Sequence, residues 1–165
     1  MTSRLEVVVE RLALDDGDDV AEIGCGHGVA ATLVLDRLTA GTYTGIDRSA
    51  KMIAAATRRN AVAVSAGRAT FVVAAIEQAG AIGPVDCLFA ARVAALTRPR
   101  GLAAARQLLR PGGRLLLAFD APDGARARSA ADAAATTLGD GGFHDVRQLD
   151  APFDRGVAAL VTAVT

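Results

Sequence analysis

The chain has 165 residues, of which 52% are hydrophobic and 22% are charged, and its formal net charge is zero. This length and composition predict one globular domain over residues 1–165 and argue against extensive disorder. A nucleic-acid or anionic membrane partner is not indicated, because proteins with such partners usually carry a basic surplus. No apolar stretch approaches the roughly 20 residues of a membrane helix. The two cysteines, Cys25 and Cys87, lack metal-type spacing, so we expect a cytoplasmic protein with reduced thiols and no bound metal.

Apolar residues recur at helical and strand spacings in turn, and this alternation predicts the order of the elements. In the first half we expect helices over 3–13, 28–39 and 50–63, strands over 20–23, 42–46 and 70–74, and a short helical piece over 76–78. In the second half we expect strands over 84–90, 114–119, 143–149 and 157–164, and helices over 98–110 and 124–138. The helix over 98–110 is predicted to be stopped by Pro111-Gly112-Gly113.

Strand and helix alternate through five units, which predicts a parallel sheet with helices on both faces. The last two strands are joined by a turn containing Pro152, Asp154, Arg155 and Gly156, without a helix, so they should pair antiparallel. The predicted fold class is therefore α/β. It is a three-layer sandwich around a seven-stranded, mostly parallel sheet with an antiparallel C-terminal hairpin strand.

A glycine-rich turn, Gly24-Cys25-Gly26-His27-Gly28, follows the first predicted strand and leads into a helix. Glycine permits positive φ and lets a ligand approach the backbone without meeting a Cβ, and the helix start offers free N–H groups. By itself the pattern fits a nucleotide pocket or a turn that merely packs a helix on a strand. A dinucleotide fingerprint is not matched, because Val29 stands where a glycine is required, and the Walker lysine and hydroxyl pair is absent.

Two acidic residues favour a nucleotide ligand. Asp47 ends the second strand in Gly45-Ile46-Asp47-Arg48-Ser49, where a carboxylate can accept hydrogen bonds from both hydroxyls of a ribose. The alternative role, capping the next helix, is already supplied by Ser49. Glu22 lies inside the first strand, where an unpaired buried charge is costly, so it should point to the sheet edge or bind a polar group.

Four segments now occur in a fixed order with ordinary separations. They are Val20-Ala21-Glu22-Ile23 with the glycine turn, Gly45-Ile46-Asp47-Arg48-Ser49 with Met52, Pro84-Val85-Asp86-Cys87-Leu88-Phe89, and Leu108-Leu109-Arg110-Pro111-Gly112-Gly113-Arg114-Leu115. In this order they resemble the class I S-adenosylmethionine-dependent methyltransferases, and the resemblance covers nearly the whole chain. It implies a Rossmann-like methyltransferase fold with S-adenosyl-L-methionine as the cofactor.

The resemblance also implies roles for matching positions. The methionine part of the cofactor would face Glu22, Gly24, Cys25, Gly26 and Gly28, and the ribose would be held by Asp47. Adenine would lie close to Arg48 and Met52 and would be flanked by Ala75 and Ile76. The carbonyl of Ala90 or Ala91 would lie beside the sulfonium. Many relatives carry an acidic residue at the place of Ala75.

Methyl transfer asks little of side chains, since the sulfonium is already a strong electrophile and the protein mainly aligns an acceptor and excludes water. The acceptor is expected at the carboxyl ends of the fourth and fifth strands, near Arg92, Val93 and Asp120. His27 and Arg92 are the catalytic candidates, with loop packing and a solvated rim position as their alternatives. His144 is expected to lie at the surface or in strand pairing.

The leading functional hypothesis is a methyltransferase for a small-molecule acceptor. The stretch from Arg98 to Arg114 is locally basic, but it is interpreted first as the solvated face of a helix. An Asn-Pro-Pro-Tyr type motif of nucleic-acid methyltransferases is replaced by Ala90-Ala91-Arg92-Val93. No predicted insertion covers the acceptor, so the pocket is open or is closed by the second subunit of a homodimer. The alternatives are a cofactor-binding regulatory or interaction protein without catalysis, and an RNA or protein methyltransferase.

Overall fold

The computed structural model describes residues 3–121, 124–154 and 156–165. The helices of these residues are α1 (Arg4–Arg11), α2 (Val29–Leu35), α3 (Ala50–Arg59), α4 (Ala61–Ser65), α5 (Pro99–Leu108) and α6 (Gly124–Asp140). The strands are β1 (Val20–Ile23), β2 (Tyr43–Asp47), β3 (Ala69–Val73), β4 (Val85–Ala91), β5 (Leu109–Phe119), β6 (His144–Phe153) and β7 (Gly156–Val164). Short 3₁₀ helices span Ile76–Ile82 and Ala94–Thr97. None of the helices described here is both long and apolar enough to cross a membrane.

The strands form one seven-stranded sheet in the order β3-β2-β1-β4-β5-β7-β6. Strands β1 to β5 pair in parallel, and β7 lies antiparallel between β5 and β6. The predicted α/β fold class, with its antiparallel C-terminal hairpin strand, is therefore confirmed. The strand order reverses between β1 and β4, and open α/β sheets bind ligands in the crevice at the carboxyl ends of the strands at such a point.

Helices pack on both faces of the sheet. On one face, Val8 of α1 and Val34 of α2 are fully buried in a cluster that includes Phe89 of β4. On the other face, Leu102 of α5 and Leu138 of α6 belong to a second buried cluster. Burying an aliphatic side chain of this kind contributes about 1.5–3 kcal/mol to stability, so the two clusters hold the three layers together.

The Pro111-Gly112-Gly113 segment corrects one predicted boundary. It does not end a helix at residue 110, because α5 ends at Leu108 and the segment lies within β5. Strand β5 pairs with β4 at Leu109 and again from Arg114 onward, with a register shift between these points. A proline cannot donate to a sheet ladder, and a glycine adopts left-handed backbone readily, so the segment forms an irregularity within the strand.

The helix predicted over 50–63 is interrupted at Asn60. The Asn60 side chain is buried, and its Nδ2 donates hydrogen bonds to the carbonyls of Gly28 and Ala56, each at 3.0 Å. These bonds hold the end of α3 against the turn that precedes α2, and α4 begins at Ala61. The interruption is therefore a contact between distant parts of the chain, which helical periodicity does not reveal.

The C-terminal hairpin is longer than the sequence predicts. Strand β6 continues to Phe153, so Pro152 lies in the strand opposite Val157 instead of in the turn. Pro152 is compatible with this position because β6 is an edge strand of the sheet. Arg155, another residue of the predicted turn, lies outside the described residues. His144 begins β6, where it is exposed and pairs with Val164, as expected.

Two arginines of β5 fasten the amino end of this strand to the segment that precedes β1. Arg110 contacts Asp19, with Nη2 2.8 Å from Oδ2, and also contacts Asp86. Arg114 donates a hydrogen bond to Asp18, a largely buried carboxylate. The basic stretch is therefore not one solvated helical face, because Arg110 and Arg114 are strand residues with carboxylate partners.

Candidate functional site

The glycine turn (residues 24–28) joins β1 to α2 at the carboxyl edge of the sheet. Gly24, Gly26 and Gly28 have φ angles of 76°, 53° and 73°, all in the left-handed region that favours glycine. The backbone N–H groups of Gly24 and Cys25 donate to the carbonyl of Ile46 at 2.7 and 3.1 Å. The backbone angles at these three positions therefore explain why the sequence has glycine there.

The three glycines of the turn differ in the space around them. A Cβ on Gly24 would lie 2.7 Å from Val93 Cγ2, and a Cβ on Gly28 would lie 2.7 Å from Asn60 Nδ2. A Cβ on Gly26 would meet nothing within 4 Å. Gly24 and Gly28 are therefore required for packing, whereas Gly26 leaves its backbone open to an approaching molecule.

Asp47 lies at the end of β2 beside the glycine turn. Its Oδ2 accepts a hydrogen bond from the backbone N–H of Gly26 at 3.0 Å, and its Oδ1 accepts one from the N–H of Ser49 at 2.9 Å. Each oxygen of an ionised carboxylate can accept two hydrogen bonds, so both retain capacity for a ligand hydroxyl. The Ser49 hydroxyl accepts from the N–H of Met52 at 3.3 Å, so Ser49 caps α3, as predicted.

Glu22 is buried in β1, and the hydroxyl of Tyr43 in β2 donates a hydrogen bond to its Oε2. Burial raises the pKa of Glu22 to about 7, an effect that the Tyr43 hydrogen bond opposes. The charge of Asp47 also raises this pKa, and the charge of Arg4 lowers it. Of the two expectations for Glu22, the structure therefore shows a polar partner inside the sheet and not an edge position.

Cys25 and His27 differ in their surroundings although both belong to the glycine turn. Cys25 is buried, and this burial raises the pKa of its thiol to about 12. A thiol with so high a pKa is neutral and unreactive near pH 7. The imidazole of His27 is exposed, while its backbone carbonyl accepts a hydrogen bond from Arg59 Nε at 3.1 Å. Cys25 and Cys87 are both free cysteines.

The positions expected beside adenine lie around the ends of β2 and β3. Ala74 donates its N–H to the carbonyl of Asp47 at 3.1 Å, which places Ala75 close to the end of β2. Arg48 is exposed and Met52 is half-buried. Ile76 is only 3% exposed and packs in the core, so its side chain is less accessible than Ala75.

The carboxyl ends of β4 and β5 carry an ion network. Asp120 accepts a hydrogen bond from Arg92 Nε at 2.6 Å, a second from the same guanidinium, and one from Arg4 Nη1 at 2.5 Å. The pKa of Asp120 is lowered, mainly by Arg92 and also by Arg4. Arg92 has a left-handed φ of 60° and follows the buried strand residue Ala90 by two positions. The catalytic candidate Arg92 is thus engaged by Asp120.

Three side chains that hydrogen-bond to residues of this region escape prediction from sequence. Tyr43 holds Glu22, Arg4 bonds to Asp120 from α1, and Asn60 holds the carbonyl of Gly28. The only signal for Tyr43 is that it opens the second strand directly beside the first. Arg4 and Asn60 carry no local signal, because their partners lie more than 30 positions away along the chain.

A Rossmann-like cofactor domain is the class that this fold and edge define: a parallel sheet with a glycine turn and an acidic residue at adjacent strand ends. Among the described residues, no group of three or more His, Cys, Asp or Glu is arranged to hold a metal ion. A family model with the description "Methyltransferase domain" matches residues 20–113, which is more than half of the chain. The chain belongs to this family, among the class I S-adenosylmethionine-dependent methyltransferases, and the predicted cofactor is confirmed as S-adenosylmethionine.

Solved structures share the fold at low sequence identity. The methyltransferase SibL in its apo form has a TM-score of 0.77 and 19% identity, over 98% of this chain and 54% of SibL. Magnesium protoporphyrin IX methyltransferase from Synechocystis, solved with S-adenosylhomocysteine, has a TM-score of 0.74 and 21% identity, over 97% of this chain and 80% of that chain. The [4+2]-cyclase SpnF has a TM-score of 0.76 and 20% identity, over 98% of this chain and 80% of SpnF. No curated protein sequence matches the chain.

Proposed function

We propose that this chain transfers the methyl group of S-adenosylmethionine to a small-molecule acceptor by direct in-line displacement. The observation that carries the proposal is the position of Asp47, hydrogen-bonded to the N–H of Gly26 beside backbone that no side chain covers. The small-molecule acceptor is supported by magnesium protoporphyrin IX methyltransferase, whose name identifies such a substrate. We also propose a cytoplasmic location, in keeping with two free cysteines.

The residues of the turn and the strand ends fit this cofactor. We assign the ribose hydroxyls to Asp47 and the methionine part to Glu22 and the glycine turn, including Gly24, Cys25, Gly26 and Gly28. We assign adenine to a set formed by the ends of β2 and β3: Arg48, Met52, Ala75 and Ile76. The carbonyl of Ala90 is assigned to the sulfonium. When bound, S-adenosylmethionine supplies an electrophilic methyl group, and the chain supplies position and exclusion of water.

The carboxylate of Asp47 is held in place by the fold without a ligand. Backbone N–H groups from Gly26 and Ser49 fix both oxygens, so the carboxylate cannot rotate away from the turn. The free lone pairs of the two oxygens suit a pair of adjacent hydroxyls, and such charge-assisted hydrogen bonds contribute about 1.5–3 kcal/mol each.

At the acceptor edge, we assign positioning roles to the ion network. The low pKa of Asp120 makes it a weak base, and its bonds to Arg92 and Arg4 hold α1 beside the ends of β4 and β5. Arg92 is therefore a rim residue of the acceptor pocket. We propose that this pocket is open, or that a second subunit of a homodimer closes it.

Calorimetric titration of cofactor-free protein with S-adenosylmethionine tests the assignment of the site. We expect saturable binding, and we expect Asp47→Ala to weaken it about tenfold or more, which corresponds to the loss of about 1.4 kcal/mol or more. Asp132→Ala is the matched control, because Asp132 is an exposed carboxylate of α6, far from the turn in sequence. Absence of binding at millimolar cofactor would overturn the proposal, and unchanged affinity of Asp47→Ala would remove its ribose role.

The alternative of a cofactor-binding protein without catalysis is kept because Asp120 engages Arg92 and no acidic residue stands at Ala75. SpnF, named as a cyclase, is a further example of this fold with a different reaction. Release of S-adenosylhomocysteine in the presence of candidate acceptors separates the two. Turnover with any small acceptor removes the non-catalytic alternative, and turnover only with RNA or protein removes the small-molecule acceptor.

A further inference from the structure

A cavity of about 440 Å³ is lined by α2, the end of α3 and α4. This volume is within the range of sites for small molecules, roughly 300–1,000 Å³. Its lining combines an apolar wall with a smaller polar part, whose residues are Thr32, Asp36, Arg58, Arg59, Asn60 and Arg68. Three arginines against one aspartate give the lining a net charge of about +2.

The cavity is the centre of a wider charge asymmetry. From Asp36 to Arg68 the chain has six basic and two acidic residues, although the whole chain has zero net charge. The basic residues outside the cavity lining are Arg37, Arg48 and Lys51. An excess of positive charge in this part of the chain attracts an anion.

The arginines of the cavity retain free donors. None of Arg58, Arg59 and Arg68 takes part in an ion pair among the described residues. Arg59 uses Nε for the carbonyl of His27, and Arg68 uses one terminal nitrogen for the carbonyl of Leu38. The Nε of Arg68 is buried and has no hydrogen-bond partner within residues 3–121, 124–154 and 156–165.

We propose that this cavity binds the phosphate group of a small phosphate monoester. A phosphate monoester carries a charge of about −1.5 to −2 at pH 7, which complements the lining, and planar guanidinium groups recognise its oxygens in pairs. The site is separate from the assigned cofactor site, and it does not depend on methyl transfer. Its wall is connected to the glycine turn, since Asn60 donates to Gly28 and Arg59 donates to His27.

Titration of ¹⁵N-labelled, cofactor-free protein with glucose 6-phosphate, inorganic phosphate and glucose tests the proposal. These probes lack adenine, so they do not report on the cofactor site. We expect saturable amide shifts centred on residues 58–63 and 66–68 with both phosphates and none with glucose. Arg58→Gln should weaken binding about fivefold or more, because Arg58 is exposed and forms no side-chain hydrogen bond or ion pair with the described residues. Arg100→Gln, at an exposed position of α5, is the matched control and should change affinity less than about twofold.

One further variant and one further probe decide the outcome. Absence of saturable shifts at about 10 mM phosphate would overturn the proposal, since that corresponds to a binding free energy weaker than about 3 kcal/mol. Equal weakening by Arg58→Gln and Arg100→Gln would show unspecific charge attraction and would also overturn it. Tight, salt-dependent binding of a short single-stranded RNA, reduced equally by Arg58→Gln and Lys51→Gln, would instead identify a nucleic-acid surface.

Discussion

Glu22 is predicted to make the protein less stable as the pH rises from acid to neutral. Burial raises the pKa of Glu22 in the folded state from 4.5 to about 7, so between these values the folded state keeps a proton that the unfolded state loses. In that window each pH unit lowers the free energy of unfolding by about 1.4 kcal/mol, for a total of about 3 kcal/mol. The contribution of Glu22 is thus complete below pH 4.5 and is lost as the pH rises through about 7.

Denaturant unfolding of the wild-type protein and of Glu22→Gln at pH values from 4.5 to 8 measures this effect. Glutamine keeps an acceptor for the Tyr43 hydroxyl but does not ionise, so the difference between the two proteins isolates the proton of Glu22. We expect the stability of the wild type relative to the variant to fall by about 3 kcal/mol across this range. A difference that stays constant with pH would show that folded Glu22 is already ionised, and the reasoning would fail.

The Tyr43→Phe variant tests the same pKa in a second way, because it should shift the pKa of Glu22 upward. The Tyr43 hydroxyl lowers the pKa of Glu22, so its removal should raise this pKa further and extend the pH-dependent window above pH 7. The variant should also be less stable at neutral pH, by about 1–3 kcal/mol, because a buried carboxyl loses its donor. A window that moves to lower pH would contradict the assigned hydrogen bond.

Two other variants test the packing of the site and of the sheet. Gly28→Ala should lower the free energy of unfolding by more than Gly26→Ala, because each places a Cβ in left-handed backbone, at about 1–2 kcal/mol, but only the first also meets Asn60. Equal losses in guanidinium unfolding would contradict that close contact. Arg110→Gln should lower the melting temperature by unpairing two carboxylates, and the loss should shrink in high salt, whereas Arg100→Gln should have little effect.

The sequence predicts the order of the elements well, because each strand is a short apolar run and apolar residues recur at helical spacing in the helices. Strand β1 matches its predicted bounds over Val20–Ile23, and α2 begins within one residue of the prediction. Two of the wrong boundaries depend on distant contacts, and α2 also ends at Leu35 instead of residue 39. Pro111 is compatible with β5 only because of the register shift against β4, and Asn60 ends α3 through its bond to Gly28.

The predicted site also has one part that follows from the sequence pattern and one part that depends on a distant contact. Asp47 and the glycine turn are adjacent in the structure, as expected, because parallel strands bring their carboxyl ends to one edge. Arg92 was a candidate for contact with the acceptor, yet Asp120 engages its guanidinium. An ion pair between residues on two strands depends on backbone direction, here a left-handed φ at Arg92, and sequence spacing contains no such information.

The two backbone bonds to Asp47 also bear on the energetics of cofactor recognition. Because folding already immobilises this carboxylate, its rotational entropy is lost before binding and not during it. The site is therefore preorganised at Asp47, and cofactor binding should carry only a modest entropic penalty there. Substitutions that loosen the end of β2 should then reduce cofactor affinity even where they do not touch the ligand. The reason is that the affinity depends on a carboxylate that the fold holds in place.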